Sequence, residues 1–279
     1  MQRSISPRRR SRTNSFFLAT YSRDRLRQHF ENVVKRASEG ILKHHPNVLG
    51  IAVDGSVGRG DPSPYSDVDM FALVRGGRRP SPVYYLDEGV YVAIGFLPVK
   101  DKKEPAVFLL WAKGGAKSVR ILYDPKRFLK RLISKRRHAK PGKDSIEQSL
   151  LEAYTNLIEY AGKLRNGWLA SDNYLTRYAA RIIATRSEEV VMVLNNISPI
   201  TENYLWDLLM KARIRPAHFN TDYPLSIGLR GTSETERVFK SALRLARESI
   251  GLVKNRFSGK SKNKSFSGLL KQPLNQIGL

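Results

Sequence analysis

The sequence predicts an α/β domain followed by an all-α helical bundle. Three observations carry that reading. The stretch from Ile51 to Val74 runs strand, glycine-rich turn, strand, whereas from Asp144 onward the apolar residues recur only at helical spacing. At 279 residues and 41% hydrophobic content, the chain is long enough to bury two cores.

Taken in order, residues 1–21 read as a basic disordered arm, with Arg3, Arg8, Arg9, Arg10 and Arg12 among few apolar residues and no acid before Asn14. Ser22 suits the N-cap of a helix whose apolar positions are Leu26, Phe30, Val33, Val34, Ala37 and Ile41, ending near Pro46. Val48 to Val53 suits a buried strand. Gly55, Gly58 and Gly60 then allow a tight turn with exposed N–H groups. A second strand runs to Val74, with Val68 and Met70 directed to the core and Asp67 and Asp69 sharing the opposite face. Arg75 to Pro80 is a loop. Val83 to Leu86 and Val90 to Val99 form a hairpin turning at Asp87-Glu88-Gly89, with Asp87 and Glu88 serving the turn. Ala106 to Trp111 and Ser118 to Tyr123 read as two further short strands.

The chemistry concentrates between Asp54 and Asp69. A turn that exposes N–H groups can hold an anion, with the Ser56 hydroxyl as a further donor, and a short helix beginning there would favour phosphate. Paired oxygen anions of the Asp67 and Asp69 kind bind Mg²⁺, which takes only one or two protein carboxylates when it also holds nucleotide phosphates. A donor turn beside a carboxylate pair therefore points to nucleotidyl transfer.

Gly55-Ser56, a spacer of ten residues and Asp67-Val68-Asp69-Met70 resemble the signature of the DNA polymerase beta superfamily of nucleotidyltransferases: Gly, then Gly or Ser, then acid, apolar, acid, apolar. The resemblance implies an α/β (α+β) nucleotidyltransferase domain with a mixed sheet. It implies that Asp67 and Asp69 hold Mg²⁺ and are catalytic. Gly55, Ser56, Arg59 and Gly60 would bind the nucleotide, Arg59 being a neutralising charge or a surface residue. Asp54 stands where the family has an apolar residue, either as an extra polar group at the site, a possible base, or as a local departure. The family carries a third acid on a later strand, but Tyr91 to Leu97 offers only Ala93 and Gly95 on the relevant face. The base would then be Asp54 or a glutamate of the helical half such as Glu147, Glu152 or Glu159.

Ile121-Leu-Tyr-Asp-Pro125 is similar to the segment that closes the catalytic domain in many family members, and Asp124 and Pro125 suit the start of a helix. Lys126 to Lys140 follows, a basic helix around Phe128, Leu129, Leu132 and Ile133, either a solvated face or a polyanion contact. Asp144-Ser-Ile-Glu147 reads as a capping box. It precedes an apolar face of Ile146, Leu150, Leu151, Tyr154, Leu157, Ile158, Ala161 and Leu164. Further helices span Ser171–Asn196, Thr201–Arg213 and Ser233–Val253, with Pro216 to Pro224 a loop. An α/β domain followed by such a bundle resembles the two-domain group of kanamycin nucleotidyltransferase. Residues 258–279 form a basic flexible tail.

Composition bounds the partners. There is no cysteine, which excludes disulfides and thiolate metal sites. The formal charge of +24 predicts attraction to polyanions such as nucleic acid. His29, His44, His45, His138 and His218 lack metal-ligand spacing, and Trp111, Trp168 and Trp206 read as core and cleft wall. No stretch suits a bilayer, so the expectation is a cytoplasmic protein without membrane contact. The predicted organisation is an arm at 1–21, a nucleotidyltransferase domain at 22–140, a helical bundle at 141–257 and a tail at 258–279. Its function would be to move an NMP from an NTP, ATP first, to a hydroxyl acceptor that is a small molecule or RNA, releasing pyrophosphate. The alternative is a catalytically degenerate nucleotide- or nucleic-acid-binding module lacking the third carboxylate.

Overall fold

The computed structural model describes residues 21–75, 80–98, 105–230 and 234–257. The arm expected before Tyr21, most of the Arg75 to Pro80 loop and the tail from Ser258 lie outside the described residues. Two compact units result: the described residues up to Pro98 with Gly115–Arg137, and those from Pro105 to Gly114 with His138 onward.

The first unit begins with α1 (Arg23–His44), whose N-cap Ser22 accepts from Arg25 N–H. The six apolar positions expected on α1 are all buried, against β1 (Val48–Val53), β2 (Val68–Val74) and β4 (Val90–Pro98). With β3 (Val83–Asp87) and β5 (Arg120–Tyr123) these strands form one sheet in the order β3-β4-β2-β1-β5. β1 runs antiparallel to β2 and β5, β3 antiparallel to β4, and β2 parallel to β4, so the sheet is mixed. Between β1 and β2 lies the short helix α2 (Gly55–Arg59).

The two faces of the sheet are covered differently. Ile51, Val53, Val68, Met70, Val92, Ile94 and Phe96 pack toward α1. On the other face a helix numbered α4 below (Phe128–Arg137) covers only the β1 side, where Leu129 and Ile133 meet Ala52 and Leu73. Leu129 fits because Gly50 has no side chain: a Cβ there would sit 2.7 Å from Leu129 Cδ1. Ion pairs fasten α1 to the sheet edges. Arg36 Nε and Nη2 donate to Asp87 at 3.0 Å each, and Arg120 makes a bidentate contact to Glu31 at 2.9 and 3.1 Å. Asp87 is thus a hairpin residue held by α1, and Glu88 (φ 49°) and Gly89 (φ 83°) form the turn.

The second unit contains α3 (Ala106–Gly115) up to Gly114, then α5 (Lys143–Leu169), α6 (Asn173–Asn195), α7 (Glu202–Met210), α8 (Phe219–Ile227) and α9 (Thr235–Phe257). These helices share one apolar core, with Tyr154, Leu157, Leu164, Ile183, Leu245 and Phe219 fully buried. The fold class is therefore an α/β domain followed by a helical domain.

Three expectations are corrected. Ala106 to Trp111 is helical, not a strand: an apolar run of that length has no period of its own, and the helix buries Ala106, Leu110 and Gly114 one turn apart in the bundle core. Gly114 is needed there, since a Cβ would fall 1.8 Å from Pro199 O. The segment within Pro216 to Pro224 is not all loop, because α8 contains Pro224 and buries Phe219, Tyr223 and Leu225. The capping box does not form: α5 starts two residues earlier than a cap at Asp144 would have it, with Gly142 as N-cap, so Asp144 falls in its first turn and the residue at the cap has no side chain to accept from the first-turn N–H groups.

Candidate active site

β1 ends where β2 begins, because the strands are antiparallel and Val53 pairs with Met70. The Asp54 N–H donates to Asp69 O at 2.8 Å, which fixes the turn beside the second carboxylate. Gly55 has φ +67°, and a Cβ at that position would lie 3.6 Å from Asp69 Oδ2. The glycine backbone and the Asp69 carboxylate thus share one spot on the face of the sheet away from α1. Asp67 immediately precedes β2, and both carboxylates are exposed while Val68 and Met70 are buried.

Asp54, which sequence reasoning left open, is the N-cap of α2. Its Oδ1 accepts from Gly55 N–H at 2.7 Å and from the buried Ser118 hydroxyl. Ser118 lies outside the motif and 64 positions along the chain, so no local pattern could have announced it. Its Oγ is also 2.7 Å from Gly115 O, which ties the segment before β5 to the turn. Gly58 lets α2 press against both neighbours, since a Cβ would meet Ser118 O at 2.6 Å and Val53 O at 2.8 Å.

Ser56 Oγ donates to Ser66 Oγ at 2.8 Å, and Ser66 Oγ accepts from Ser63 N–H at 2.9 Å. These serines hold the loop that leads into Asp67. The signal for Ser63 and Ser66 was local, a pair of hydroxyls three residues apart just before the acid pair. Gly60 (φ +82°) ends α2, with its N–H on Ser56 O and Val57 O. Arg59 pairs with Asp61 at 3.2 Å, and its buried Nη1 has no partner among the described residues.

In the parallel register Asp69 lies opposite Ala93, and Ala93 lies opposite Tyr84 of β3. No acid completes the row. Among the described residues no cluster of three or more His, Asp or Glu side chains could hold a metal. Two exposed hard oxygen donors suit Mg²⁺ that keeps water and phosphate oxygens in its shell, so the residues present fit that ion. Glu147, Glu152 and Glu159 stand on α5 of the second unit, where Glu159 pairs with Lys163 at 2.6 Å. Among the described residues no helix is long and apolar enough to cross a membrane.

No protein-family model matches the chain, and no curated protein matches it in sequence. Among solved structures the chain is similar to a nucleotidyltransferase-like protein from Exiguobacterium sibiricum 255-15, with 13% identity and a TM-score of 0.45 over 90% of this chain and 86% of that one.

Proposed function

We propose that the first unit transfers a nucleoside monophosphate from an NTP, ATP first, to a hydroxyl acceptor with Mg²⁺ and releases pyrophosphate. The observation that supports this best is the approach of Gly55, the first residue of α2, to Asp69 Oδ2, where the free N–H groups at the start of α2 would act as phosphate donors beside a carboxylate that would hold the metal. Asp67 and Asp69 would hold the ion, which when bound neutralises charge on the phosphate oxygens. Gly55 lets the triphosphate come close, and Ser56 would give its hydroxyl hydrogen to a phosphate oxygen in place of Ser66. Arg59 would add charge if it left Asp61. The acceptor oxygen bonds to the α-phosphorus as the bond to the pyrophosphate oxygen breaks, and the hydroxyl proton passes to a base. Positioning and charge stabilisation carry most of the rate in such transfers.

For that base, Asp54 Oδ2 and the glutamates 147, 152 and 159 remain candidates. The two donors already on Asp54 Oδ1 favour a cap over a proton acceptor. The acceptor is a small molecule or RNA, and the exposed Lys126, Arg127, Lys130 and Arg131 support RNA. The test is incubation with Mg²⁺ and each labelled NTP, with RNA, protein and small-molecule fractions as acceptors. Asp67→Asn and Asp69→Asn should each abolish transfer with unfolding unchanged. Full activity in either, at limiting Mg²⁺, would remove the basis for the site.

The Ala93–Asp69 register favours a second reading, a nucleotide- or nucleic-acid-binding module that has lost its chemistry. NTP binding without pyrophosphate release from any acceptor fraction would decide for it.

A further inference from the structure

We infer that the second unit carries a binding site of its own for the phosphate and flat ring of a nucleotide, between α6, α8 and α9. A cavity of about 400 Å³ opens there, within the size of small-molecule sites. Arg177 and Arg181 line it, and among the described residues no acidic side chain does. Guanidinium groups stay charged and match phosphate oxygens in pairs. Arg177 Nη2 also reaches Thr235 Oγ1 at 3.5 Å, which anchors that guanidinium between α6 and α9.

Tyr174 and Tyr178 form the second half of the chemistry. They stand one turn apart on α6 with ring centroids 6.2 Å apart and planes within 13° of parallel. Tyr174 is 79% and Tyr178 44% exposed, so both rings offer free surface at the same opening as the arginines. Flat aromatic faces beside cations are the combination that takes a base and its phosphate together.

The third observation is Ser226. It lines the cavity at 3% exposure, and its Oγ has no hydrogen-bond partner among the described residues. Buried hydroxyls are nearly always paired, so a hydroxyl left without a partner in a cationic cavity points to a ligand that completes it. The carbonyl end of α8 does not oppose an anion there as a bare end would. Gly228 N–H covers Leu225 O, and Leu229 and Arg230 N–H cover Pro224 O at 2.9 and 3.1 Å.

The ligand class is therefore a nucleoside monophosphate, free or as a terminal unit of single-stranded RNA. The site needs neither Mg²⁺ nor the transfer reaction, so its test is separate from that of the first unit. Binding of AMP, of inorganic phosphate and of a labelled decaribonucleotide to the intact chain would be measured in EDTA. Because a chain of charge +24 attracts any polyanion, the controls matter. Arg181→Gln removes one lining charge, Lys35→Gln removes an exposed charge on α1 of the first unit, and Tyr178→Leu removes a ring without changing charge.

We expect EDTA-resistant binding of AMP or of the oligonucleotide that exceeds binding of phosphate. Arg181→Gln and Tyr178→Leu should each weaken it about tenfold, and Ser226→Ala severalfold, with urea unfolding unchanged. Lys35→Gln should leave AMP affinity as it was. Tight AMP binding identifies a free nucleotide, and oligonucleotide binding alone identifies an RNA terminus. Absence of EDTA-resistant binding of either would overturn the proposal. So would inorganic phosphate binding as tightly as AMP, or Arg181→Gln and Tyr178→Leu weakening binding no more than Lys35→Gln.

Discussion

Replacing Asp54 separates a cap from a base. Asp54→Ala removes the acceptor for Gly55 N–H and for the Ser118 hydroxyl. Loss of an N-cap costs about 1 kcal/mol, within a range of roughly 0.5–2. Ser118 keeps Gly115 O at 2.7 Å, so the buried hydroxyl adds little to that cost. A destabilisation of about 1–2 kcal/mol is expected, read as a lowered urea midpoint at constant m-value. Asp54→Asn keeps a carbonyl oxygen in the Oδ1 position, and asparagine caps as well as aspartate, so its cost should stay under about 0.5 kcal/mol. The assay pairs unfolding of the three proteins with NTP turnover of wild type and Asp54→Asn. The expected result is near wild-type stability and turnover in Asp54→Asn. If Asp54→Asn unfolds as easily as Asp54→Ala, the cap argument fails. If it folds normally but turns over about a hundredfold slower, Asp54 is the proton acceptor and its two hydrogen bonds orient a base.

Other changes test the frame around the sites. Gly58→Ala places a Cβ 2.6 and 2.8 Å from two backbone oxygens, so α2 must move off β1, at a cost of about 1–3 kcal/mol in urea unfolding. Arg244 and Asp222 form a bidentate pair at 2.6 and 2.7 Å, with Asp222 1% exposed and the Arg244 side chain 47% exposed. Arg244→Ala strands a buried carboxylate and should cost about 3 kcal/mol, whereas Asp222→Ala leaves a cation that water can reach and should cost clearly less in the same assay. Burial raises the Glu188 carboxyl above its ordinary 4.5, against the lowering effect of its hydrogen bond from Tyr223. A raised acid binds more protons folded than unfolded, so its stabilising share is present at low pH and is lost as pH rises from about 4.5 through the raised value. Glu188→Gln should therefore gain stability relative to wild type across that rise, and a difference independent of pH would contradict the assignment.

How much could be read from the chain varied with the kind of signal. The buried face of α1 was legible because Leu26 through Ile41 keep one period over about four turns, and the β1–turn–β2 stretch because alternation and glycines agree. Ala106 to Trp111 was not, since six apolar residues fit a strand or a buried helix equally and only Leu110 and Gly114 within the bundle decide. Pro224 hid α8 because proline removes a hydrogen bond to the residue four before it. Here that residue, Asn220, is exposed, so water can serve its carbonyl. The residues of the proposed site were local and visible at Gly55, Ser56, Asp67 and Asp69. Its support was not, because Ser118 reaches Asp54 through the fold and not through the sequence.

The direction of the two carboxylates follows from the core on the other side of the sheet. A strand alternates faces, so slipping β2 by one residue would turn Asp67 and Asp69 toward α1 and expel Val68 and Met70. Those two are 0% and 3% exposed among Phe30, Val53, Val92 and Ile94, so the slip would bury charge and expose apolar surface together. Exposing two such side chains costs roughly 1.5–3 kcal/mol each, before any charge is buried. The register that presents Asp69 to Gly55 is thus held by packing that never touches a ligand. On the opposite face, α4 stops at the β1 side, and Ala93 and Gly95 add little bulk beyond Asp69. A covered face that locks the register and, among the described residues, little bulk beyond Asp69 on the other are what the proposed pair of acids at the start of β2 requires.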